Sequence, residues 1–162
     1  MPYFCGLVVL ENSRSMAVKK EITDQFVSAM FNLAKAIKNE SERCCSICGG
    51  VNEKELMIVA YVGDNKSSTM SSIADNMEAP LSTLTSIVDK LVANKYLYRY
   101  NSEEDRRVVK VELAEKGKET YKLFLQQKQA TAKKVLRQFT DADKIDLVRQ
   151  LNKLADSINM NI

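Results

Sequence analysis

Cys44, Cys45 and Cys48 crowd into five positions, with Cys5 the fourth cysteine far upstream. Cys45-Ser46-Ile47-Cys48 has C-x-x-C spacing, which in a chain of the reducing cytoplasm points to thiol chemistry or metal rather than a structural disulfide. The chain contains no His, so Ser-His and Cys-His pairs and imidazole zinc sites are excluded. A zinc ion here would need Cys5, a carboxylate or a second chain as further ligand. A redox sensor would need a low-pKa thiol beside a cation, and Arg43 is the adjacent candidate. Incidental cysteines in a loop are the third reading, and the spacing leaves all three open.

A second group is built for contact rather than reaction. Ser82, Thr83, Thr85, Ser86 and Lys90 fall on the polar side of a segment whose Leu84, Ile87, Val88 and Leu91 recur at helical steps. Small hydroxyls and a long cation suit a helix lying in a DNA major groove, where bulky apolar groups do not fit. Lys90 would neutralise a phosphate. Downstream, Glu103-Glu104-Asp105-Arg106-Arg107 forms a charged turn. Arg106 and Arg107 at its tip could reach a narrow minor groove, with Asp105 holding a guanidinium in place. A solvated helix face and a locally paired turn are the plainer readings of the same residues.

These groups need elements to carry them. Residues 17–42 show apolar positions at Val18, Ile22, Phe26, Met30, Leu33 and Ile37, a long amphipathic helix. Residues 43–52, with their cysteines and Gly49-Gly50, read as a loop. A short helix is expected from 53 until Gly63-Asp64-Asn65 breaks it. Thr69 can cap a third helix through Asp75 or Met77, with Ile73 and Ala74 pointing inward. Pro80 suits the first turn of a fourth helix, and Asn94 its end. From Tyr96 the period becomes two, and residues 96–100 and 108–113 predict a hairpin around the charged turn. Residues 115–137 return to helical period with Tyr121, Phe124 and Leu125. Thr140 and Asp143 approximate a capping box before a last helix with Ile145, Val148, Leu151, Leu154 and Ile158 on one stripe. The fold class is therefore mainly α with a small β-hairpin wing: a winged helix-turn-helix core flanked by long helices.

The chain has 162 residues, 45% hydrophobic and 28% charged, with a net charge of +3. That suits one soluble domain, residues 17–162, preceded by an arm over residues 1–16. Met16 is an alternative start to Met1. Met1 to Leu10 is apolar but lacks the preceding cations and the cleavage site of a signal peptide, so a cytoplasmic protein is expected, with no membrane partner. No Gly-rich phosphate loop, catalytic pair or cofactor motif occurs, so an enzyme is not expected and no cofactor is required, a metal at the cysteines aside.

Residues 53–117 resemble the winged-helix core of the MarR (multiple antibiotic resistance regulator) family. Ser82-Thr83-Leu84-Thr85 through Ile87-Val88-Asp89-Lys90-Leu91 is similar to that family's recognition helix, and Arg99 stands where its first wing strand carries a basic residue. Asp105-Arg106-Arg107 matches the Asp-x-Arg wing motif, which makes Arg107 the carried-over member. Leu113-Ala114-Glu115-Lys116-Gly117 resembles the Leu-Thr-x-x-Gly start of the fifth helix. The likeness extends over about residues 17–160. Lys95 stands where the family has Gly, Ala114 where it has Thr, and Ser86 at a position that is often basic.

The resemblance implies a homodimeric, sequence-specific regulator of transcription, a repressor released by a small-molecule or thiol signal. Its core would span 53–114 and its dimerisation helices 17–42 and 115–160. The apolar stripes independently favour a two-fold dimer. Such a dimer would set two recognition helices about 34 Å apart on near-palindromic double-stranded DNA. The family's small aromatic effectors would meet Phe26, Met30, Met57 and Tyr61, residue types that are otherwise core. The alternative is a cysteine-centred metal-binding or redox-responsive protein that uses its winged helix for protein contacts.

Overall fold

A computed structural model describes residues 19–103 and 105–159. The expected arm, Met16, Cys5 and Glu104 lie outside the described residues. The elements in order are α1 (Lys20–Ile47), α2 (Glu53–Asn65), β1 (Ser67–Thr69), α3 (Met70–Asn76), α4 (Leu81–Ala93), β2 (Leu97–Asn101), β3 (Val109–Leu113), α5 (Glu115–Leu136) and α6 (Asp141–Asn159). Two compact units divide between Asn39 and Glu40. In the first, Ile22, Phe26, Val27, Phe31, Leu33 and Ile37 of α1 are all exposed.

The second unit has a continuous core. Ile58, Val59 and Val62 of α2, Ile73 of α3, Leu84, Val88 and Leu91 of α4, and Leu97 and Val111 of the sheet are buried together. The inward face of α4 is the one its helical period marks, with Ile87 half-buried beside it. Pro80 directly precedes α4 as its N-cap, and Asn94 closes it.

Three boundaries differ from the sequence expectation. The first helix does not stop at residue 42; it runs through Arg43, Cys44, Cys45 and Ser46 to Ile47. Nothing in that stretch breaks a helix, and the turn away comes only at Gly49 (φ 94°) and Gly50 (φ 72°), a backbone region open mainly to glycine. Likewise α2 passes through Gly63 and ends after Asn65. That glycine serves packing: a Cβ there would lie 2.6 Å from the Tyr121 ring of α5. Finally, the expected two-stranded hairpin is a three-stranded antiparallel sheet of order β1-β3-β2. Ser67, Ser68 and Thr69 pair with Glu112, Val111 and Lys110. A three-residue polar strand has no apolar alternation to betray it, and its partner lies some forty residues downstream.

Capping is local and explicit. Asn52 and Glu55 form a reciprocal box at the start of α2, and Thr69 and Ser72 form one at the start of α3. Ser72, not Asp75 or Met77, is therefore the partner of Thr69. Thr140 accepts the Asp143 N–H at 3.3 Å before α6, as expected. Ala114 precedes α5 without a side-chain cap. Helix α6 contains no buried residue. Among the described residues, no helix is long and apolar enough to cross a membrane.

Candidate nucleic-acid interface

Helices α3 and α4 are joined by the turn Met77–Pro80, the geometry of a helix-turn-helix. The turn is closed by hydrogen bonds from the Glu78 N–H to the Asp75 carbonyl and from the Ala79 N–H to the Ala74 carbonyl. The far end of α4 repeats the device: Lys95 N–H bonds to Val92 O and Tyr96 N–H to Leu91 O. Both motifs put a left-handed residue just past the helix, Glu78 at φ 47° and Lys95 at φ 62°. A non-glycine at such a position carries a steric cost of about 1 kcal/mol.

The outward face of α4 presents Ser82, Thr83 and Ser86 fully and Thr85 in part. Thr85 Oγ1 donates to Leu81 O at 2.8 Å and Ser86 Oγ to Ser82 O at 3.4 Å. Their hydrogens are therefore engaged along the helix, and their lone pairs face outward as acceptors. Ser82 and Thr83 keep both capacities.

The charged members of the set are less free than the sequence suggests. Lys90 Nζ lies 2.6 Å from Glu55 of α2, whose side chain is only 7% exposed. Burial pushes the Glu55 carboxyl up, but the Lys90 ammonium and the Asn52 N–H outweigh it and hold the group below the usual carboxylate range. Arg99 of β2 is half-buried, with Nη1 2.5 Å from Asp89 of α4. Its Nε and Nη2 are buried with no hydrogen-bond partner in the protein. Lys90 and Arg99 thus brace α4 from two sides, one against α2 and one against the wing. Neither brace was legible from the sequence, although the Asn52-x-x-Glu55 spacing of the capping box was there to be read.

At the wing tip Asp105, Arg106 and Arg107 are all exposed. Among the described residues no guanidinium pairs with Asp105; its Oδ1 accepts the Arg107 backbone N–H at 2.9 Å. A short carboxylate reaches a main-chain amide two residues on more readily than a flexible guanidinium, and so it shapes the turn. Val108 N–H to Asp105 O at 2.9 Å and Asn101 Nδ2 to Arg106 O at 2.8 Å complete the tip. On one sheet face Tyr98 and Tyr100 donate their hydroxyls to the two oxygens of Glu112. Those bonds, Tyr100 first, hold the Glu112 carboxyl below its ordinary value.

Cys44 and Cys45 sit on the last turn of α1 and Cys48 just past it, not in the expected loop over residues 43–52. Cys44 Sγ and Cys48 Sγ are 3.8 Å apart. Cys45 and Cys48 are buried, and Cys44 is half-buried. Arg43, the cation expected beside them, pairs with Glu40 at 2.5 Å. Burial pushes the Cys45 thiol up and the Cys48 thiol up to about 12. Among the described residues no three Cys, Asp or Glu side chains are placed to hold a metal ion. Of the residues expected to meet an effector, Phe26 and Met57 are each about half exposed. Met30 is half-buried, and Tyr61 packs against the edge of the core.

Residues 50–123 match the SarA/Rot family of transcriptional regulators. The HTH-type transcriptional regulator YpoP of Bacillus subtilis is 23% identical over 139 residues, covering 86% of this chain and 97% of YpoP. The HTH-type transcriptional repressor MdtR of the same organism is 26% identical over 108 residues, 67% of this chain and 70% of MdtR. Streptococcus pneumoniae FabT, solved in complex with DNA, superposes with a TM-score of 0.71 at 20% identity, covering 88% of this chain and 99% of FabT. These relatives are regulators rather than enzymes. With its helix-turn-helix, its wing and these relatives, the chain is similar to the winged-helix transcriptional regulators of the MarR/SarA type, and residues 50–123 carry the family match.

Proposed function

We propose that the protein binds double-stranded DNA as a homodimer on a near-palindromic operator and represses transcription until a small-molecule or thiol signal releases it. The observation that carries this reading is the outward face of α4. Ser82, Thr83 and Ser86 stand exposed on a helix fixed from behind by buried Leu84, Val88 and Leu91, with Arg106 and Arg107 exposed at the tip of the adjoining hairpin. A rigid, small-residue helix flanked by a cationic finger fits a major groove and the neighbouring minor groove. The DNA complex of FabT and the repressor MdtR support the same reading by likeness. Lys90 and Arg99 serve first as braces. Phosphate contact by Lys90 uses the ammonium that Glu55 already orients.

The reading is tested with duplexes selected from a randomised pool. Arg107→Ala should weaken binding several-fold while leaving the circular dichroism spectrum intact, and binding should fall steeply with salt. Unchanged affinity of Arg107→Ala would remove the wing from the interface. Failure of the reduced protein to enrich any duplex at low ionic strength would overturn DNA binding itself.

A further inference from the structure

We propose that Cys44 and Cys48, rather than the C-x-x-C pair Cys45 and Cys48, form an oxidisable dithiol whose closure to a disulfide disturbs the recognition helix through Tyr96. The second half of this statement rests on the DNA-binding reading above; the first does not.

The pairing follows from helical geometry. Positions 44 and 48 are one turn apart and share a face, whereas 45 and 48 do not align as closely. Accordingly it is the Cys44 and Cys48 sulfurs that meet, at 3.8 Å. Cys44 is partly open to solvent, and Cys48 is fully enclosed. An oxidant therefore reaches Cys44 first, and Cys48 is the sulfur waiting behind it. A disulfide is also the product this site can tolerate. Two thiolates around a monovalent soft cation would leave a net negative charge in an apolar surround, a divalent ion would find no third Cys, Asp or Glu ligand among the described residues, and Arg43 is committed to Glu40. A disulfide is uncharged.

The chemistry balances with a hydroperoxide as oxidant. The Cys44 sulfur attacks the peroxide oxygen, an S–O bond forms, the O–O bond breaks, and an alcohol or water leaves. Cys48 sulfur then displaces the hydroxyl of the Cys44 sulfenic acid, forming the S–S bond and releasing water. Two thiols lose two electrons and two protons, and the peroxide takes them up.

Closure cannot leave the backbone in place. Side chains one helical turn apart have Cβ atoms about 5–6 Å apart, while a disulfide needs about 3.5–4.5 Å. The turn that must give way is held by the Cys48 N–H to Cys44 carbonyl bond of 2.9 Å. It is followed at once by Gly49 and Gly50, both in left-handed conformations, so the strain moves into the segment that touches Tyr96. The Tyr96 hydroxyl donates to the Gly49 carbonyl at 3.4 Å. The Tyr96 main chain closes α4 through its N–H on Leu91 O at 2.9 Å and takes the Ala114 N–H at 3.0 Å at the start of α5. One buried tyrosine thus joins the thiol turn to the end of the recognition helix.

The test treats the reduced full chain with stoichiometric hydrogen peroxide and reads intact mass and DNA affinity. Wild type and Cys45→Ser should each lose two hydrogen masses per chain, and Cys44→Ser and Cys48→Ala should not. Oxidised wild type should bind its selected duplex roughly tenfold more weakly, a common size for coupling between sites, and dithiothreitol should restore it. Tyr96→Phe should still close the disulfide but lose much of that response. Should Cys48→Ala fail to fold, Cys44→Ser carries the same decision from a partly exposed position. Bond formation that survives in Cys44→Ser, or that requires Cys45 or Cys5, overturns the pairing, as does oxygen addition to a single sulfur with no bond. A bond that forms with DNA affinity unchanged overturns the route through Tyr96. A reduced protein that binds no duplex overturns the DNA reading, and the mass measurements still decide the pair.

Discussion

Helices α4 and α6 carry apolar side chains at the same helical spacing, yet they end in opposite situations. On α4, Leu84, Val88 and Leu91 are 0–1% exposed; on α6, Ile145, Val148, Leu151 and Ile158 are 46–75% exposed. Both stripes predict a buried face. Only the first finds its partner within the second compact unit, against α2 and the sheet. A helix with a continuous apolar stripe and no buried residue is completed by another molecule or stays open to water. The exposed row on α1, from Ile22 to Ile37, is in the same condition. The contrast separates a self-sufficient reading head from helices whose apolar rows find no cover among the described residues, the rows that the proposed dimer would bury.

The largest expected effects break this comparison if they come out equal. Leu84→Ala in the reading head should cost about 2–5 kcal/mol of stability, because it opens a cavity in close-packed surroundings. Ile145→Ala on α6 should cost the isolated chain no more than about 0.5 kcal/mol. Urea denaturation at several protein concentrations separates the two, since subunit association makes stability concentration-dependent. A comparable loss in both variants at high dilution would mean that α6 is packed within its own chain.

A smaller effect falls on assembly. Leu151→Asp places a charge in the middle of the α6 stripe and should weaken dimerisation by about 2 kcal/mol or more, roughly thirtyfold in the dissociation constant. Sedimentation equilibrium should show monomer where the parent shows dimer, with helical content unchanged. An unchanged mass distribution would move the interface off α6.

The same contrast explains what the sequence could and could not reveal. Periodicity identified the helices, the hairpin and the inward side of α4, because the burial of Leu84, Val88 and Leu91 recurs every three or four residues. It was silent on β1, whose Ser67-Ser68-Thr69 has no apolar rhythm and is a strand only because Val109–Leu113 lies beside it. It misplaced the cysteines by reading residues 43–52, Gly49-Gly50 included, as a loop, whereas α1 runs on to Ile47. At the interface, the exposed hydroxyls and the wing arginines could be picked by residue type. The partners of Lys90 and Arg99 could not, since each depends on distance through space: Glu55 lies 35 positions from Lys90, and Asp89 ten from Arg99. Residue type suggests which groups can touch DNA, and only tertiary packing shows which of them are already engaged by the protein.

The brace at Glu55 sharpens the comparison through pH. Its carboxyl is held below its ordinary value in the folded state, so its stabilising contribution is complete above the unfolded pKa of about 4.3. That contribution disappears as pH falls through the lower, folded value. Glu55→Gln should therefore flatten the acid limb of the melting temperature below about pH 5. At neutral pH it should cost about 1 kcal/mol, the usual worth of one such hydrogen bond. Glu40, Glu112 and Asp146, also depressed, remain to titrate in the variant, so the limb is reduced rather than removed. No corresponding carboxylate brace is buried on α6, whose Asp146 pairs with Arg149 at the surface. Asp146→Asn should leave the limb nearly as it was, and equal flattening by both substitutions would deny Glu55 its place as the buried brace.

The smallest effect runs the other way, toward higher stability. Even the well-packed reading head keeps a local strain where α4 ends, with Lys95 at φ 62°. The motif requires a left-handed residue there, because the two bonds that close α4 come from the Lys95 and Tyr96 amides. Glycine adopts that conformation without a Cβ clash, and its cost is a more flexible unfolded chain. The balance favours Lys95→Gly by about 0.5–1 kcal/mol. The neighbouring Asn94, at φ −88°, has no such strain to relieve, and its side chain donates to Lys90 O at 2.8 Å. Asn94→Gly should therefore destabilise where Lys95→Gly stabilises. Opposite signs at adjacent positions in one thermal-melting series would locate the strain at a single residue; the same sign at both would assign it to the whole turn.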